Sequence, residues 1–228
     1  MQHLTHGGAL KHLRRFQHVI NVLVKHGFGE TMSRLRIWRT VHFERRLLRP
    51  KPRPHELTAP ERLRLALEEL GPTFIKLGQM ISTRPDLLPP EIIIELKKLQ
   101  ASVHFIPADT IKSIIESELG RPINEIFDAF DATPLAAASL AQVHRAVLNG
   151  RQVVLKVQRP DITDITAMDI EILRSIASLA ERYSPRAYLI NPVGLVEEFA
   201  QQIKKELDFR MEAQHPRRFA QNFARDET

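Results

Sequence analysis

Asn149-Gly150 lies between "AQVHRAVL" and "RQVVLKVQ", and no other stretch limits the fold as much. A two-residue hairpin turn needs positive φ at both central positions, which Asn-Gly supplies, and the flanking runs are rich in β-formers. The two runs are therefore expected to pair antiparallel in a fixed register. Up to Phe127 the pattern is helical, and after Arg159-Pro160 helices return. The expected fold class is α+β, mostly α, with a small antiparallel sheet built around this hairpin.

Leu10, Leu13, Phe16, Ile20, Leu23 and Val24 fall at helical spacing, with Lys11, Arg14, Arg15 and Lys25 between them and Gly27 and Gly29 ending the run. This face can lie on an anionic membrane, or the helix can pack on its own domain with a solvated basic side. Residues 1–50 read as basic amphipathic helices, and residues 51–57, within "RPKPRPHELTAP", as a proline-stiffened linker. Thr58 and Glu61 make a capping-box pattern with Pro60 in the first turn, followed by Leu63, Leu67 and Leu70 on one face. In "TFIKLGQMISTR" the buried stripe is Phe74, Leu77 and Ile81, so Lys76 and Gln79 project together from another face. Residues 58–120 are a helical extension, and residues 121–228 carry the sheet and two further helices. The first of these has Ile165, Met168, Ile172, Ile176 and Leu179 inward; the second has Val196, Phe199, Ile203 and Leu207.

With 228 residues and 43% apolar content the chain can bury a core. It has no cysteine, which removes disulfides and thiolate metal sites and suits a reducing compartment. The net charge of +6 is concentrated in the first quarter of the chain, a basic arm rather than a basic domain. Nucleic acid is not an expected partner: no binding motif is present, and 11 Phe, 2 Tyr and 1 Trp give no stacking platform. No apolar run approaches the ~20 residues of a spanning helix. The start of the chain lacks the pattern of a secretory signal.

Lys156, in "VVLKVQRP", stands beside Val154 on one face of its strand, because Leu155 and Val157 point the other way. It is either a solvated edge lysine or a buried charge that needs a carboxylate partner. In "PVGLVEEFAQQIKKELDFRMEA", Glu198, Gln202 and Glu206 repeat at four-residue spacing, with Asp208 just beyond. These groups can pair with Lys156, enter the oxygen shell of a metal, or form a solvated face paired to Lys204 or Arg210.

Taken in order, the parts resemble the UbiB/AarF-type atypical kinases of quinone biosynthesis. "KLGQ", from Lys76 to Gln79, matches the KxGQ motif of that family; "AAASLAQVH", from Ala136 to His144, matches its alanine-rich replacement for the kinase glycine loop; "ELDF" carries its ExD pair, Glu206 and Asp208. The resemblance implies a protein-kinase-like small lobe with a large N-terminal helical extension, and ATP with Mg²⁺ as cofactors. It implies that Ala136, Ala137, Ala138 and Ser139, with Lys156, bind the nucleotide, and that Lys156, Glu206, Lys76 and Gln79 are the catalytic group. Asp208 and Glu206 are its implied metal ligands, with Lys76 and Gln79 reaching toward them. Between Glu206 and Glu198, Glu206 is the expected partner of Lys156. Glycine loops approach phosphates closely at positive φ, which alanine disfavours, so an alanine loop is expected to cradle phosphates differently. The resemblance implies that this loop, with the KxGQ helix lying over the site, tunes nucleotide preference and excludes a protein substrate.

The same resemblance implies nucleotide, a membrane surface or isoprenoid-quinone lipid, and other quinone-biosynthesis proteins as partners, with a peripheral place on the cytoplasmic side of a membrane. No catalytic-loop aspartate and no DFG aspartate follow Lys156 in this sequence, so the large lobe is expected to be absent from it. The alternative expectation is a truncated, non-catalytic membrane-surface or protein-interaction module.

Overall fold

The computed structural model describes residues 6–35, 57–99, 105–184 and 190–223. The second basic stretch and most of the expected linker lie outside the described residues. Helices α1 (His6–Lys25), α2 (Gly29–Arg34), α3 (Ala59–Leu70), α4 (Pro72–Ser82), α5 (Pro90–Leu96), α6 (Ala108–Leu119) and α7 (Ile123–Ile126) come first. Strands β1 (Ala129–Phe130), β2 (Ala136–Ala137), β3 (Ala141–Leu148) and β4 (Arg151–Gln158) follow, and then α8 (Ile162–Tyr183), α9 (Pro192–Leu207) and α10 (Phe209–Phe223). The fold is α+β and mostly helical.

The hairpin forms as its turn dictates. β3 and β4 pair antiparallel from Ala141↔Gln158 to Leu148↔Arg151, and Asn149 and Gly150 have φ of 49° and 73°. β1 and β2 pair with the opposite edge of β3. Among the described residues, β4 has a strand neighbour on one edge only. Val157 and Ala146 are buried with Ile111 and Ile115 of α6, while Val154 is 64% exposed on the Lys156 face.

A second core runs through the helices. α1 contributes Phe16, Val19 and Ile20, which pack with residues of α3, α4, α8 and α9. The first two leucines of the expected α1 stripe do not join it: Leu10 is 57% and Leu13 43% exposed. Thr58 caps α3 through the full capping box, its backbone N–H donating to Glu61 at 2.7 Å. Phe74 and Leu77 of α4 are buried as expected, with Ile81 packed alongside. In α9, Val196, Phe199 and Ile203 are buried and Leu207 partly so. Gly78 sits where a Cβ would stand 2.2 Å from Leu99 and 2.9 Å from Leu67, so α4 approaches its neighbours at van der Waals contact only without a side chain there.

α8 departs from a purely apolar stripe. Its buried line includes Thr166 and Asp169 as well as Ile172 and Leu173. Asp169 is fully buried, and a carboxylate in that position needs a cation and hydrogen bonds. Arg15 of α1 supplies both, donating from Nε at 2.7 Å and Nη2 at 2.9 Å, and it also donates to the Leu70 carbonyl at 2.8 Å. One guanidinium thus joins α1, the end of α3 and α8. Near the other end of α1, Lys25 and His26 both meet Glu69 at 2.7 Å. Burial raises the Glu69 carboxyl, but hydrogen bonds from Lys25 and His26 outweigh it and hold the group below its ordinary value.

Because removing one member of a buried pair strands the other, Arg15→Ala is expected to cost about 3–5 kcal/mol of folding stability in urea titration. A loss below ~1 kcal/mol contradicts the structural role given to this pair.

Candidate functional site

The alanine-rich segment shows why glycine is not required in it. Ala136 and Ala137 are extended and pair with Val143 and Gln142 of β3, and the Ala138 N–H donates to the Ala141 carbonyl at 2.8 Å to close the turn. Among the described residues the non-glycine positions with positive φ are Asn149, Asp161 and Asn191; none is in this loop. Alanine adopts such a backbone without strain. Ser139, Leu140 and Ala141 are buried, and Leu140 inserts into the helical core, which fixes the loop from beneath. Arg159 donates to the Ala138 carbonyl at 3.2 Å, and burial pulls its guanidinium below the ordinary value.

The rest of the motif is structural in a way the sequence reading did not foresee. Gln142 and His144 are both fully buried. The Gln142 amide accepts from the Ile106 N–H at 2.8 Å, donates to the Ile106 carbonyl at 3.1 Å and meets His144 Nε2 at 2.9 Å. His144 Nδ1 lies 2.9 Å from the Asp131 carbonyl, so Nδ1 carries the proton and Nε2 accepts from Gln142. Every polar atom of the pair is satisfied, and the segment before α6 is tied to β3. Two polar residues spaced two apart on one face of a strand were the available signal.

Lys156 is held by Glu212 of α10, with Nζ 2.6 and 2.7 Å from its carboxylate oxygens, and stands 4.6 Å from the centre of the Phe209 ring. It pairs with neither Glu206 nor Glu198. Glu206 is instead bound to Lys76 of α4 at 2.7 Å, and Glu198 meets Arg84 at 3.4 Å. Hydrogen bonding to Asp86 pushes the Arg84 guanidinium above its ordinary value, with Glu198 adding to the effect. The carboxylate stripe of α9 therefore faces α4 and the loop after it. Gln79 points elsewhere, donating to the Leu99 carbonyl at 3.0 Å, so it does not share a partner with Lys76.

Asp208 is used by the backbone. It ends α9, and its Oδ1 accepts from the N–H groups of Arg210 at 3.1 Å and Met211 at 3.3 Å, which starts α10. Glu206 and Asp208 are thus engaged with different groups. Among the described residues no cluster of three or more His, Asp or Glu side chains fits a metal ion.

Between these elements is a cleft of about 690 Å³. The loop from Ala138 to Ala141 forms one wall, Lys156 and Glu212 another, and Lys76, Gln202, Lys205 and Glu206 close it from the helical side. Of the residues singled out in the sequence, Ala138, Ser139, Lys156, Lys76, Gln202 and Glu206 border this cleft. A cleft of this size is within the range that holds small-molecule ligands.

The ABC1 atypical kinase-like domain matches residues 98–228. The chain is 40% identical over 216 residues to "Probable protein kinase UbiB" of Aeromonas salmonicida, covering 93% of this chain and 40% of that protein. To the protein of the same name from Photobacterium profundum it is 47% identical over 170 residues, 74% of this chain and 31% of that one. A solved structure, "The complex structure of Rv3197-erythromycin from Mycobacterium tuberculosis", aligns with a TM-score of 0.46 at 30% identity, over 67% of this chain and 38% of that one. The chain spans about 40% of the length of the first of these relatives. Since the domain match takes in more than half of the residues, the chain belongs to the ABC1 atypical kinase-like family and is of the UbiB type.

Proposed function

We propose that the cleft binds the phosphates of ATP, and that the chain is the nucleotide-gripping part of a kinase-like ATPase that supports ubiquinone or a related isoprenoid-quinone synthesis. The observation that carries this reading is Lys156, on a strand beside the alanine-rich turn and held by a carboxylate from a following helix. That is the arrangement in which a kinase lysine grips α- and β-phosphates. Glu212 takes up only part of the three-donor capacity of the ammonium, so Lys156 can keep its partner while it donates to a phosphate oxygen. The turn from Ala138 to Ala141 shapes the opposite wall, and Lys76, fixed by Glu206, closes the cleft from above. Among the described residues no group of three His, Asp or Glu side chains is placed to hold a metal ion, and magnesium bound to the nucleotide's own phosphate oxygens would not require one. With α4 lying over the cleft, small-molecule or ATPase work fits better than phosphorylation of a protein.

In the gene product that carries this chain, Lys156→Ala is expected to weaken ATP binding about 10- to 100-fold by calorimetry, the loss of one charge-assisted hydrogen bond of ~1.5–3 kcal/mol. Unchanged affinity contradicts the reading.

The membrane side of the proposal rests on α1, which contains no acidic residue. Its buried face is spent on the core, Arg15 on Asp169 and Lys25 on Glu69. Exposed Leu10 and Leu13 remain, next to Lys11 and Arg14, and neither cation has a partner among the described residues. Among the described residues no helix is long and apolar enough to cross a membrane, so α1 would lie on the surface. Vesicles containing anionic lipid are expected to bind the chain in a salt-sensitive way, and Lys11→Gln with Arg14→Gln to weaken that binding about tenfold or more. Equal binding to neutral vesicles contradicts it. Vesicle binding without any nucleotide binding favours the non-catalytic module instead.

A further inference from the structure

The two lysines already assigned to the cleft are neutralised before any ligand arrives. Lys156 is paired with Glu212 at 2.6 Å and Lys76 with Glu206 at 2.7 Å. A polyphosphate entering a cleft with only those four groups would meet no net positive charge. Lys205 and His215 border the same cleft, and among the described residues their side chains have no hydrogen-bond or ion-pair partner. Lys205 lies in the last turn of α9, one residue before Glu206; His215 lies on α10 three residues after Glu212, on the same side of the helix. Among the lysines and glutamates that border the cleft, three lysines stand against two glutamates, and Lys205 supplies the excess charge.

We infer that Lys205, with His215 beside it, is the residue that makes the cleft prefer ligands of higher negative charge, so that it selects nucleoside triphosphate over monophosphate. This deepens the nucleotide reading above and rests on it. The physical basis is the unpaired state of the ammonium. A lysine already bound to a carboxylate gives part of its field to that partner, whereas an unpaired one exerts its whole field on the ligand, more strongly in a partly enclosed cleft than in open water. Its effect therefore grows with each phosphate added. Lys204, the preceding residue, is also exposed but does not border the cleft, and it serves as the internal comparison.

The test is calorimetric titration of the gene product with ATP, ADP and AMP, for the wild type, Lys205→Gln and Lys204→Gln. The expected result is that Lys205→Gln weakens ATP about five- to tenfold and AMP less than about twofold, while Lys204→Gln leaves all three within about twofold. If the wild type binds ATP and Lys205→Gln leaves the ATP-to-AMP ratio unchanged, or Lys204→Gln lowers it equally, the inference is overturned and the nucleotide reading stands. A wild type that binds none of the three overturns both.

Discussion

Asp208 does not continue α9. Its φ of −88° and ψ of 85° leave the helical region, and its carboxylate accepts from two N–H groups at the start of α10. The break gives the chain a new helix axis within two residues of Glu206. On one side of it Glu206 turns to Lys76 of α4; on the other, Phe209 and Glu212 turn to Lys156 of β4. Two cations from distant parts of the sequence are therefore brought to one cleft by the local geometry of a single aspartate.

The ion pairs at the cleft are half-exposed and contribute little to folding on their own. The position of α4 beside the cleft comes from packing. Phe74 and Leu77 share a core with Phe199 and Ile203, and Gly78 allows the close approach to Leu67 and Leu99. Deeper in the helical layer, Arg15 and Asp169 add a buried polar link whose cost is met only by its full set of partners. Stability is thus supplied away from the cleft, which leaves the charges there available for a ligand.

Features governed by neighbours in sequence were legible. Asn149-Gly150, the Thr58 capping box and the Phe199–Ile203 stripe depend on local backbone geometry or on period, and each appears where expected. Of the contacts the resemblance implied for Lys76 and Gln79 with Glu206 and Asp208, the structure shows the Lys76–Glu206 pair, while Gln79 turns to Leu99 and Asp208 to the backbone. What escaped was decided by long-range contacts. The partner of Lys156 required knowing that α9 stops at Asp208, and the helical spacing of Glu198 and Glu206 pointed past Glu212. Aspartate is a helix-capping residue, and that was the signal available. Gln142, His144 and Asp169 look like surface residues in a polarity count, yet all are fully buried, and the groups that satisfy them include Ile106, Asp131 and Arg15, which lie 13 to 154 residues away. The pattern of α1 admitted either a membrane surface or packing on its own domain with a solvated basic side. The fold uses its later half for the protein and leaves Leu10 and Leu13 exposed.

Reaction of the gene product with an acyl-phosphate derivative of ATP, which transfers its label to lysines beside the bound phosphates, tests the assignment of the cleft most directly. Peptide mapping is predicted to find the label on Lys156, Lys76 or Lys205, and to find it lost when excess ATP is added. Label spread over Lys11 and Lys25 of α1, with no competition by ATP, would contradict the account.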